Sequence, residues 1–457
     1  MLTRMFHAVI SHFLISLLLT VALPCGVLGA AASGVVVPAE YKARRQAYSA
    51  RATDGVTVLF NALEEDLREY AADKDFYYLT GLTEPNAILV LSPRHPEYQE
   101  TLFIPSRDLG QEKWTGVKLS AGPETARLLG IGRVLTLDYF HSELVTLASG
   151  QRKIYVALPS HKGNRPPSIQ EGQVSRLREM FPFSDFVDAS PHIAFLRMKK
   201  SEGELALVKR AIAITAEAHK AAAAEIGGGR YEYEVEAALE YVFRRRGSVR
   251  PAFPSIVGSG PNSVILHYDK STRRMENGEL IVVDIGAENE EYAADVTRTY
   301  PINGRFSPRQ REIYDVVLAA QEVALKEVKP GALYNKSGSI HRAAYDYIST
   351  HGKDLKGASL GQYFIHGTSH HLGLDVHDAV SDPNRPLEAG MIITVEPGIY
   401  IPEENLGVRI EDVVLVTETG YELLTRDLPR RADEIERLME DQRNFKSQGA
   451  ARRVAER

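Results

Sequence analysis

The chain has 457 residues, of which 44% are hydrophobic and 25% are charged, and its formal net charge is −6. This length is sufficient for two or three domains with hydrophobic cores of their own, and the composition is typical of a globular protein rather than a disordered or fibrous one. A slightly acidic chain presents no basic field to nucleic acid, which argues against nucleic acid as a partner.

The first 32 residues have the pattern of a secretory signal peptide. Arg4 precedes an apolar stretch, Phe13–Leu23, and small residues follow at Gly29–Ala32. The apolar stretch is too short for a convincing membrane span, and an uncleaved N-terminal anchor is the alternative. Cleavage near Ala30–Ala32 removes Cys25, the only cysteine, and makes the net charge one unit more negative. We therefore expect a secreted or periplasmic protein that has neither a disulfide nor membrane attachment in its mature form.

Residues 36–195 are predicted to form an α/β domain. Short segments with the composition of β-strands alternate there with polar and helical stretches, which is the pattern of helices packed against a sheet. The predicted strands are Val56–Phe60, Ala87–Leu91, Thr101–Ile104 and Lys153–Leu158.

A long helix is predicted to open the second domain. Ser201 and Glu204 form the S-x-x-E pattern of a capping box, and Gly227–Gly229 provides the stop signal. Apolar residues recur between these signals at helical spacing. We therefore place the domain boundary near Arg197–Ser201.

The remaining chain divides into a second domain over residues 200–430 and a C-terminal helix with a charged tail over residues 431–457. Two further helices are predicted in the second domain, over Tyr231–Arg245 and Pro308–Val328, because apolar residues recur there at helical spacing. Several short β-rich runs separate these helices, which predicts a mixed α and β architecture.

One stretch of the second domain, ELIVVDIGAENEEYAADVTRTY, is predicted to be a β-hairpin, because two β-rich runs flank a polar turn. If the turn lies between Asn289 and Glu290, Asp284 and Asp295 stand directly opposite each other with Cβ atoms about 5 Å apart. Two carboxylates so placed repel by about 3 kcal/mol at an effective dielectric constant of about 20. A divalent cation or a shared proton would offset this repulsion, and two solvated surface aspartates are the alternative.

Two more carboxylates lie on strand-like segments. Glu396 precedes Pro397, which holds the glutamate backbone extended. In LGVRIEDVVLV the alternation places Arg409 and Glu411 on one face of a strand. A charge in an apolar strand is costly unless it is paired, so a simple salt bridge between Glu411 and Arg409 is the alternative to a functional role.

The segment HGTSHHLGLDVHD, residues 366–378, contains four of the 14 histidines of the chain. His366 and His370 have the spacing of a zinc-binding helix, but Gly-Thr-Ser is a poor helix and the glutamate of H-E-x-x-H is missing. We expect a loop or strand to present these histidines, with the glycines allowing a ligand to approach the backbone closely. Four histidines so close together and beside glycines indicate a functional site rather than four structural histidines.

The order D-x10-D, H-x3-H, E-P-G and R-I-E resembles the pita-bread metallopeptidases, which include methionine aminopeptidases, prolidases, aminopeptidase P and the non-metal creatinases. The stretches NSVILHYDK, HGTSHHLGLDVHD, DFYYLTGLTEPNAILVLSP and LFIPSRDLGQEKWTG resemble aminopeptidase P. The resemblance covers nearly all of the mature chain and implies an α/β N-terminal domain followed by an α+β pita-bread catalytic domain. His371 departs from the pattern, because many relatives have an apolar or aromatic residue there; we expect it to alter the pocket without touching the ligands.

The resemblance also implies a dinuclear metal site whose ligands are Asp284, Asp295, His370, Glu396 and Glu411. By analogy with the family, Asp295 and Glu411 bridge the two ions, Asp284 binds one of them, and His370 with Glu396 binds the other. Four carboxylates and one imidazole form a hard, oxygen-rich set. We expect two divalent ions, with Mn²⁺ as the first choice and Co²⁺ or Zn²⁺ as alternatives.

Four more residues have roles that the resemblance implies. His377 would stabilise the tetrahedral intermediate, His267 and His366 would line the substrate pocket, and Arg409 would order the metal ligands. The expected activity is the release of the first residue from Xaa-Pro-Yaa peptides, and a prolidase that cleaves Xaa-Pro dipeptides is the closest alternative.

The same fold could also serve a non-catalytic binding protein or a metal-free, creatinase-type hydrolase. The presence of all five ligand residues argues against both of these functions. The expected partners are proline-containing peptides. The sequence leaves the oligomeric state open, with a homo-dimer or a homo-tetramer as candidate assemblies.

Overall fold

The structure, a computed structural model, describes residues 36–64, 70–158, 169–335 and 337–455. The predicted signal peptide, residues 1–32, lies outside the described residues. In the part of the chain that is described, no helix combines the length and the hydropathy needed to cross a membrane.

The first part of the described chain alternates helices and strands. In chain order these elements are α1 (Pro38–Ser49), β1 (Gly55–Phe60), α2 (Lys74–Thr80), β2 (Ile88–Leu91), β3 (Glu100–Ile104), α3 (Glu112–Thr115), α4 (Pro123–Leu129), β4 (Arg133–Thr136), α5 (Phe140–Leu147), β5 (Lys153–Val156), α6 (Ile169–Met180), β6 (Asp185–Asp188) and α7 (Ser190–Arg197). The six strands form one mixed sheet in the order β4-β3-β2-β1-β5-β6. The four predicted strands are confirmed as β1, β2, β3 and β5.

Hydrophobic side chains cover both faces of this sheet. Every residue of β1 is buried, which explains its nearly continuous apolar sequence. On one face Val56 and Val58 belong to the same core as Phe140 of α5, and on the other face Leu59 belongs to the same core as Phe76 of α2. The first part of the chain therefore belongs to the α/β class that the sequence predicts, and its helices lie on both faces of the sheet.

The second part of the described chain is richer in antiparallel strands. In chain order its elements are α8 (Glu202–Glu225), α9 (Glu232–Arg245), β7 (Ile256–Ser259), β8 (Leu280–Ile285), β9 (Glu288–Asn289), β10 (Tyr292–Ala293), β11 (Val296–Pro301), α10 (Pro308–Lys326), α11 (Ser339–His351), β12 (Ile392–Val395), β13 (Gly398–Ile401), β14 (Leu406–Arg409), β15 (Asp412–Val416), β16 (Tyr421–Leu423) and α12 (Ala432–Ala455). The strands pair as β11-β8-β7, β12-β15-β16, β13-β14 and β9-β10.

The predicted helices of this part are present. The Ser201 hydroxyl accepts the backbone N–H of Glu204, and the Glu204 carboxylate accepts the N–H of Ser201, so the predicted capping box of α8 is confirmed. The C-terminal helix is longer than the sequence suggests. Instead of a short helix followed by a tail, α12 continues through most of the charged tail to Ala455.

The β8–β11 hairpin has a different register from the one predicted. Asp284 pairs with Thr297, so the direct pairing of Asp284 with Asp295 is wrong. The turn lies at Glu290 and Glu291, whose φ angles are +48° and +68°. Because side chains alternate with a period of two, this change of register leaves the two aspartates on the same face, as diagonal rather than direct neighbours.

Tertiary contacts explain why two glutamates adopt the left-handed conformation in this turn. A turn with positive φ at both central residues fits the twist of a hairpin but favours asparagine and glycine. Here the Glu290 carboxylate binds Arg210 of α8 at 3.1 Å, and the Glu291 carboxylate binds Lys74 of α2 at 2.7 Å. The ion pairs with two other elements stabilise a turn that the local sequence does not favour.

The hydrophobic core of the first part continues into the second. Leu207 and Ala211 of α8, Tyr292 of the hairpin and Leu372 belong to the same buried cluster as Phe76 of α2. The first part of the fold thus packs directly against the hairpin tip and against the histidine-rich segment that contains Leu372.

A buried histidine links helix α8 to this hairpin. His219 is fully buried, and its Nε2 lies 3.0 Å from the Val296 carbonyl oxygen. A carbonyl can only accept, so Nε2 carries the proton and Nδ1 accepts from the Tyr300 hydroxyl at 3.1 Å. Burial, together with the charge of Arg298, lowers the pKa of His219 to about 3.

The pKa of His219 predicts a pH dependence of stability. The ordinary pKa of histidine is 6.5, so below pH 6.5 unfolding takes up a proton. The stabilisation by neutral His219 is therefore complete above pH 6.5 and is lost as the pH falls towards 3. For each unit by which the pH falls below 6.5, we expect the free energy of unfolding of the wild type to decrease by about 1.4 kcal/mol more than that of His219→Gln. Urea titrations between pH 7 and 4 measure this difference, and parallel pH profiles would contradict it.

Candidate functional site

Four carboxylates and one imidazole converge where strands of the second part are interrupted. Asp295 directly precedes β11, Glu396 directly follows β12, and Glu411 directly precedes β15. Asp284 lies near the end of β8, and His370 lies in an irregular segment, as expected for the glycine-rich sequence around it. All four carboxylates are buried or nearly so, which contradicts the alternative of two solvated surface aspartates.

The His370 ring stands at the centre of this cluster. Its Nε2 lies 3.3 Å from Asp295 Oδ2, 3.2 Å from Glu396 Oε1 and 4.0 Å from Glu411 Oε1. The donor atoms of Asp295, His370 and Glu411 all lie within 4.8 Å of one another. The opposite ring nitrogen, Nδ1, lies 3.0 Å from the His371 carbonyl oxygen. That contact requires a proton on Nδ1 and directs Nε2 at the carboxylates.

Arg409 connects the remaining carboxylate to the others. Its Nη2 donates to Asp284 Oδ2 at 2.6 Å, its Nη1 donates to the Tyr400 hydroxyl at 2.8 Å, and its Nε donates to Thr297 Oγ1 at 3.2 Å. The Thr297 hydroxyl in turn donates to Glu411 Oε2 at 2.8 Å. The alternative of a salt bridge between Arg409 and Glu411 is therefore wrong, because Arg409 pairs with Asp284.

These side chains surround one cavity of about 510 Å³. All nine site residues predicted from the sequence line it: Asp284, Asp295, His370, Glu396, Glu411, His267, His366, His377 and Arg409. Apolar residues form a further part of the lining, the apolar wall: Phe253, Pro254, Ile256, Leu266 and Val376. The His377 ring lies 4.2 Å from the His370 ring, measured between centroids.

His371 does not line this cavity. Its side chain is buried and packs edge-on against Tyr334, with ring centroids 4.9 Å apart. Neither of its ring nitrogens has a hydrogen-bond partner among the described residues. Burial lowers the pKa of His371 to about 3, so the ring is neutral. The expectation that His371 alters the pocket is therefore wrong: it acts as a packing residue behind the segment that carries His370.

The pKa shifts show that the cluster is short of positive charge. Burial and then the charge of Asp284 raise the pKa of Asp295 to about 7, and burial and then Asp295 raise the pKa of Glu411 well above its ordinary value. For Glu396, burial is the largest single effect and would raise the pKa, but hydrogen bonding to His370 and the charges of His370, His366 and Arg409 together outweigh it and lower the pKa to about 2. Four carboxylates so close together cannot all be ionised without added cations.

The residues fit a divalent metal ion. Two carboxylate oxygens, Asp284 Oδ1 and Glu411 Oε1, are buried without a hydrogen-bond partner in the described part of the chain. Buried polar atoms are normally satisfied, so these two indicate a missing partner. A donor set of carboxylate oxygens with a single imidazole is chemically suited to a hard divalent cation.

Comparisons with known proteins identify the family of the chain. The family model for Metallopeptidase family M24 matches residues 206–418, and that for the Aminopeptidase P N-terminal domain matches residues 41–155. The chain is 36% identical to the Xaa-Pro aminopeptidase of Escherichia coli K12 over 434 residues, which are 88% of this chain and 97% of the relative. It is 34% identical to the Xaa-Pro aminopeptidase of Haemophilus influenzae over 432 residues, again 88% and 97% of the two chains.

A solved structure of E. coli aminopeptidase P with the inhibitor Pro-Leu is also similar. It has a TM-score of 0.79 and 33% identity, and the match covers 90% of this chain and 99% of that chain.

The chain belongs to the aminopeptidase P family of M24 metallopeptidases. The resemblance stated from sequence motifs is thereby confirmed. The fold class is confirmed as well, because an aminopeptidase P N-terminal domain precedes a pita-bread catalytic domain in this family of structures.

The sequence analysis did not predict two residues of this site, Thr297 and Tyr400. Thr297 binds both Glu411 and Arg409, and Tyr400 binds both Arg409 and His366. Thr297 lies two residues after Asp295, so strand alternation places it on the same face as the aspartate and could have identified it. Tyr400 shows no comparable signal, because aromatic residues are common in strands for packing alone.

A buried ion cluster holds the segment that carries His377. Arg197, at the end of α7, binds Asp75 of α2 at 2.7 Å, Asp375 at 2.6 Å and also Asp378. Lys200 binds Asp378 at 2.8 Å, and both of these side chains are only 1% exposed. The two aspartates of the histidine segment flank His377. The first part of the fold is therefore connected through Arg197 to a residue of the cavity.

The Arg197 cluster predicts a large loss of stability when its cation is removed. Arg197→Met leaves Asp378 with one cation partner and should lower the free energy of unfolding by about 3–5 kcal/mol. Arg305 pairs with Glu436 while its own side chain is 64% exposed, so Arg305→Met should cost less than about 1 kcal/mol. Urea denaturation of both variants measures the difference. Similar small losses for the two would show that the buried cluster contributes little.

Proposed function

We propose that the protein is a metallo-aminopeptidase that releases the N-terminal residue from peptides with proline in the second position. The observation that carries this proposal is the cavity in which all nine predicted site residues meet. Support comes from relatives named Xaa-Pro aminopeptidase, which match the chain over both of its domains. The apolar wall beside the charged cluster suits the ring of a proline residue, which has no N–H to satisfy.

We infer that Asp284, Asp295, His370, Glu396 and Glu411 bind two divalent ions, Mn²⁺ being the first choice and Co²⁺ or Zn²⁺ the alternatives. The unpartnered oxygens of Asp284 and Glu411 and the orientation of His370 Nε2 support this assignment. When bound, the ions supply Lewis-acid catalysis and lower the pKa of a water molecule. Arg409 holds Asp284 and, through Thr297, Glu411, so that these carboxylates are positioned before a cation arrives.

The histidines of the cavity have different tasks in this proposal. His366 has both ring nitrogens engaged: Nδ1 faces the Gly367 carbonyl oxygen at 2.7 Å, and Nε2 accepts from the Tyr400 hydroxyl at 2.8 Å. His366 therefore forms a fixed part of the substrate pocket wall and has no ring nitrogen free to donate a proton to the substrate. His377 and His267 make no hydrogen bonds with described side chains and line the cavity, so their ring nitrogens can meet the substrate. His377 would donate to the carbonyl oxygen that becomes negative in the transition state.

The proposed ligands predict a metal requirement. Treatment with a chelator should abolish hydrolysis, and Mn²⁺ should restore it. Glu411→Gln should bind less than half the metal of the wild type and retain only a small part of its activity, because a neutral amide replaces one of the carboxylates that would hold the ions. The same substitution should raise the stability of the metal-free protein, because it removes one of four repelling carboxylates.

Metal analysis and thermal unfolding with and without chelator measure these effects. Glu404→Gln is the matched control, because Glu404 binds Arg309 outside the cavity. Full turnover by carefully demetallated enzyme would refute the metal proposal.

The substrate proposal distinguishes the protein from a prolidase. A prolidase must capture the free carboxylate of a dipeptide, whereas an aminopeptidase P leaves that side open to a longer chain. We expect Ala-Pro-Ala to be hydrolysed with a higher kcat/KM than Ala-Pro. Steady-state kinetics on the two peptides is the measurement, and a preference for the dipeptide would make the protein a prolidase.

We also propose export, with a cleaved signal peptide at residues 1–32. The supporting observation is the order of a charged residue, an apolar stretch and small residues. Mass spectrometry of the protein from its native host should find a mature N-terminus within residues 31–35, in the secreted or periplasmic fraction. Intact Met1 on cytoplasmic protein would contradict the proposal.

A further inference from the structure

One buried carboxylate outside the cavity organises a segment that reaches into it. Glu232 is the first residue of α9, and its side chain is fully buried. The backbone N–H and the hydroxyl of Ser259 lie 2.7 Å and 2.6 Å from Oε1, and the side-chain amide of Asn262 lies 3.0 Å from it. The Tyr268 hydroxyl and the Arg273 backbone N–H each lie 2.9 Å from Oε2.

All of these donors belong to residues 259–273, which we call the 259–273 segment. Glu232 also donates its own backbone N–H to the Arg273 carbonyl oxygen at 3.0 Å. An ionised carboxylate is stable in a buried position only when such donors satisfy it, and the N-terminus of a helix adds a favourable dipole. The Glu232 carboxylate therefore holds both ends and the middle of the 259–273 segment at once.

The 259–273 segment contributes Leu266, His267 and Asp269 to the wall of the cavity. The His267 ring makes no hydrogen bond with any described residue, so its position depends on the backbone that carries it. Tyr268, the next residue, is buried with its hydroxyl on Glu232, whereas His267 itself is exposed. Fixing Tyr268 inward consequently fixes His267 outward, toward the substrate.

We propose that Glu232 is a positioning residue for the reaction, which holds the 259–273 segment in the conformation that presents His267 to the substrate. This inference rests on the proposed peptidase function and adds to it a residue that touches neither substrate nor metal. A second anchor of the segment is the Ser263 hydroxyl, which accepts the backbone N–H of Gly407 at 2.8 Å. That anchor is a single hydrogen bond, whereas five donor groups of the segment face the Glu232 carboxylate.

The first test is Glu232→Gln, which keeps the size of the side chain. The amide nitrogen is itself a donor and must face the backbone N–H of either Ser259 or Arg273, and neither N–H can accept. We expect kcat/KM for Ala-Pro-Ala to fall roughly 10- to 100-fold, the loss typical of a hydrogen bond to a charged group. Metal content and the circular dichroism spectrum should remain those of the wild type. Wild-type kcat/KM in the folded variant would overturn the inference.

The second test asks whether the effect passes through His267. In a His267→Ala background, Glu232→Gln should change kcat/KM by less than about threefold, because the residue that Glu232 positions is already gone. A general loosening of the site would lower kcat/KM by the same factor in both backgrounds. Equal factors would therefore overturn the inference.

Two further variants complete the design. Tyr268→Phe removes one hydrogen-bond donor to Glu232 and keeps the packing of the ring. It should give a smaller loss of kcat/KM, which should also disappear in the His267→Ala background. This variant replaces Glu232→Gln in the test if Glu232→Gln fails to fold. Glu240→Gln is the matched control, because Glu240 lies on the same helix and binds Ser255 at 2.9 Å, outside the 259–273 segment. It should retain wild-type activity.

A readout without turnover separates this inference from the proposed function. In protein labelled with ¹³C-histidine, the His267 ring resonance is assigned by its absence from His267→Ala, and it should shift or broaden in Glu232→Gln. An unchanged resonance would overturn the inference whatever the activity. Conversely, a wild type that binds metal but does not hydrolyse Ala-Pro-Ala would overturn the proposed function alone, because the resonance still reports on Glu232.

Discussion

The mutual repulsion of four carboxylates in one buried cavity governs the architecture around it. Asp284, Asp295, Glu396 and Glu411 come from strands of two sheets and meet where those strands are interrupted. Burial weakens the screening that water provides, so their repulsion is larger than on a surface. A fold that accepts this cost has to be stabilised elsewhere, and it gains a site that is completed only by added positive charge.

The surrounding residues limit this repulsion without neutralising it. Arg409 is the only guanidinium in contact with the described carboxylates of the cluster, and it binds Asp284 alone among them. Thr297 and Tyr400 extend its influence by hydrogen bonds, one to Glu411 and the other to His366. Burial would lower the pKa of His370, but hydrogen bonding to Asp295 and Glu396 raises it well above its ordinary value, so His370 adds a second cation. Two cations against four carboxylates still leave a deficit of positive charge, which is consistent with the raised pKa values of Asp295 and Glu411. The arrangement orders the carboxylates and still favours a bound cation.

Sequence patterns predicted the members of the cavity better than their contacts. All nine residues that the resemblance to the family implies line it. For Asp284 and Asp295 the predicted shared face also survives the error in register, because a change of register by two residues does not alter the face. The register itself was wrong, because ion pairs of Glu290 and Glu291 with other elements select the turn. His371 was also misjudged, because its burial against Tyr334 depends on packing across the fold, which a linear motif does not contain.

Two buried carboxylates that serve as anchors outside the cavity, Asp378 and Glu232, could not be identified from the sequence, because their roles also depend on packing across the fold. Their partners are distant in the chain: Arg197 lies 181 residues from Asp378, and the donors of Glu232 lie 27 to 41 residues away. Each anchor holds a segment with a histidine that faces the substrate side of the cavity. This separation of the anchors from the cavity follows from electrostatics. The cavity already holds four carboxylates that repel one another, so a further carboxylate there would be destabilising. Asp378 and Glu232, which hold the histidine-bearing segments, are stable outside the cavity because each has cations or hydrogen-bond donors of its own.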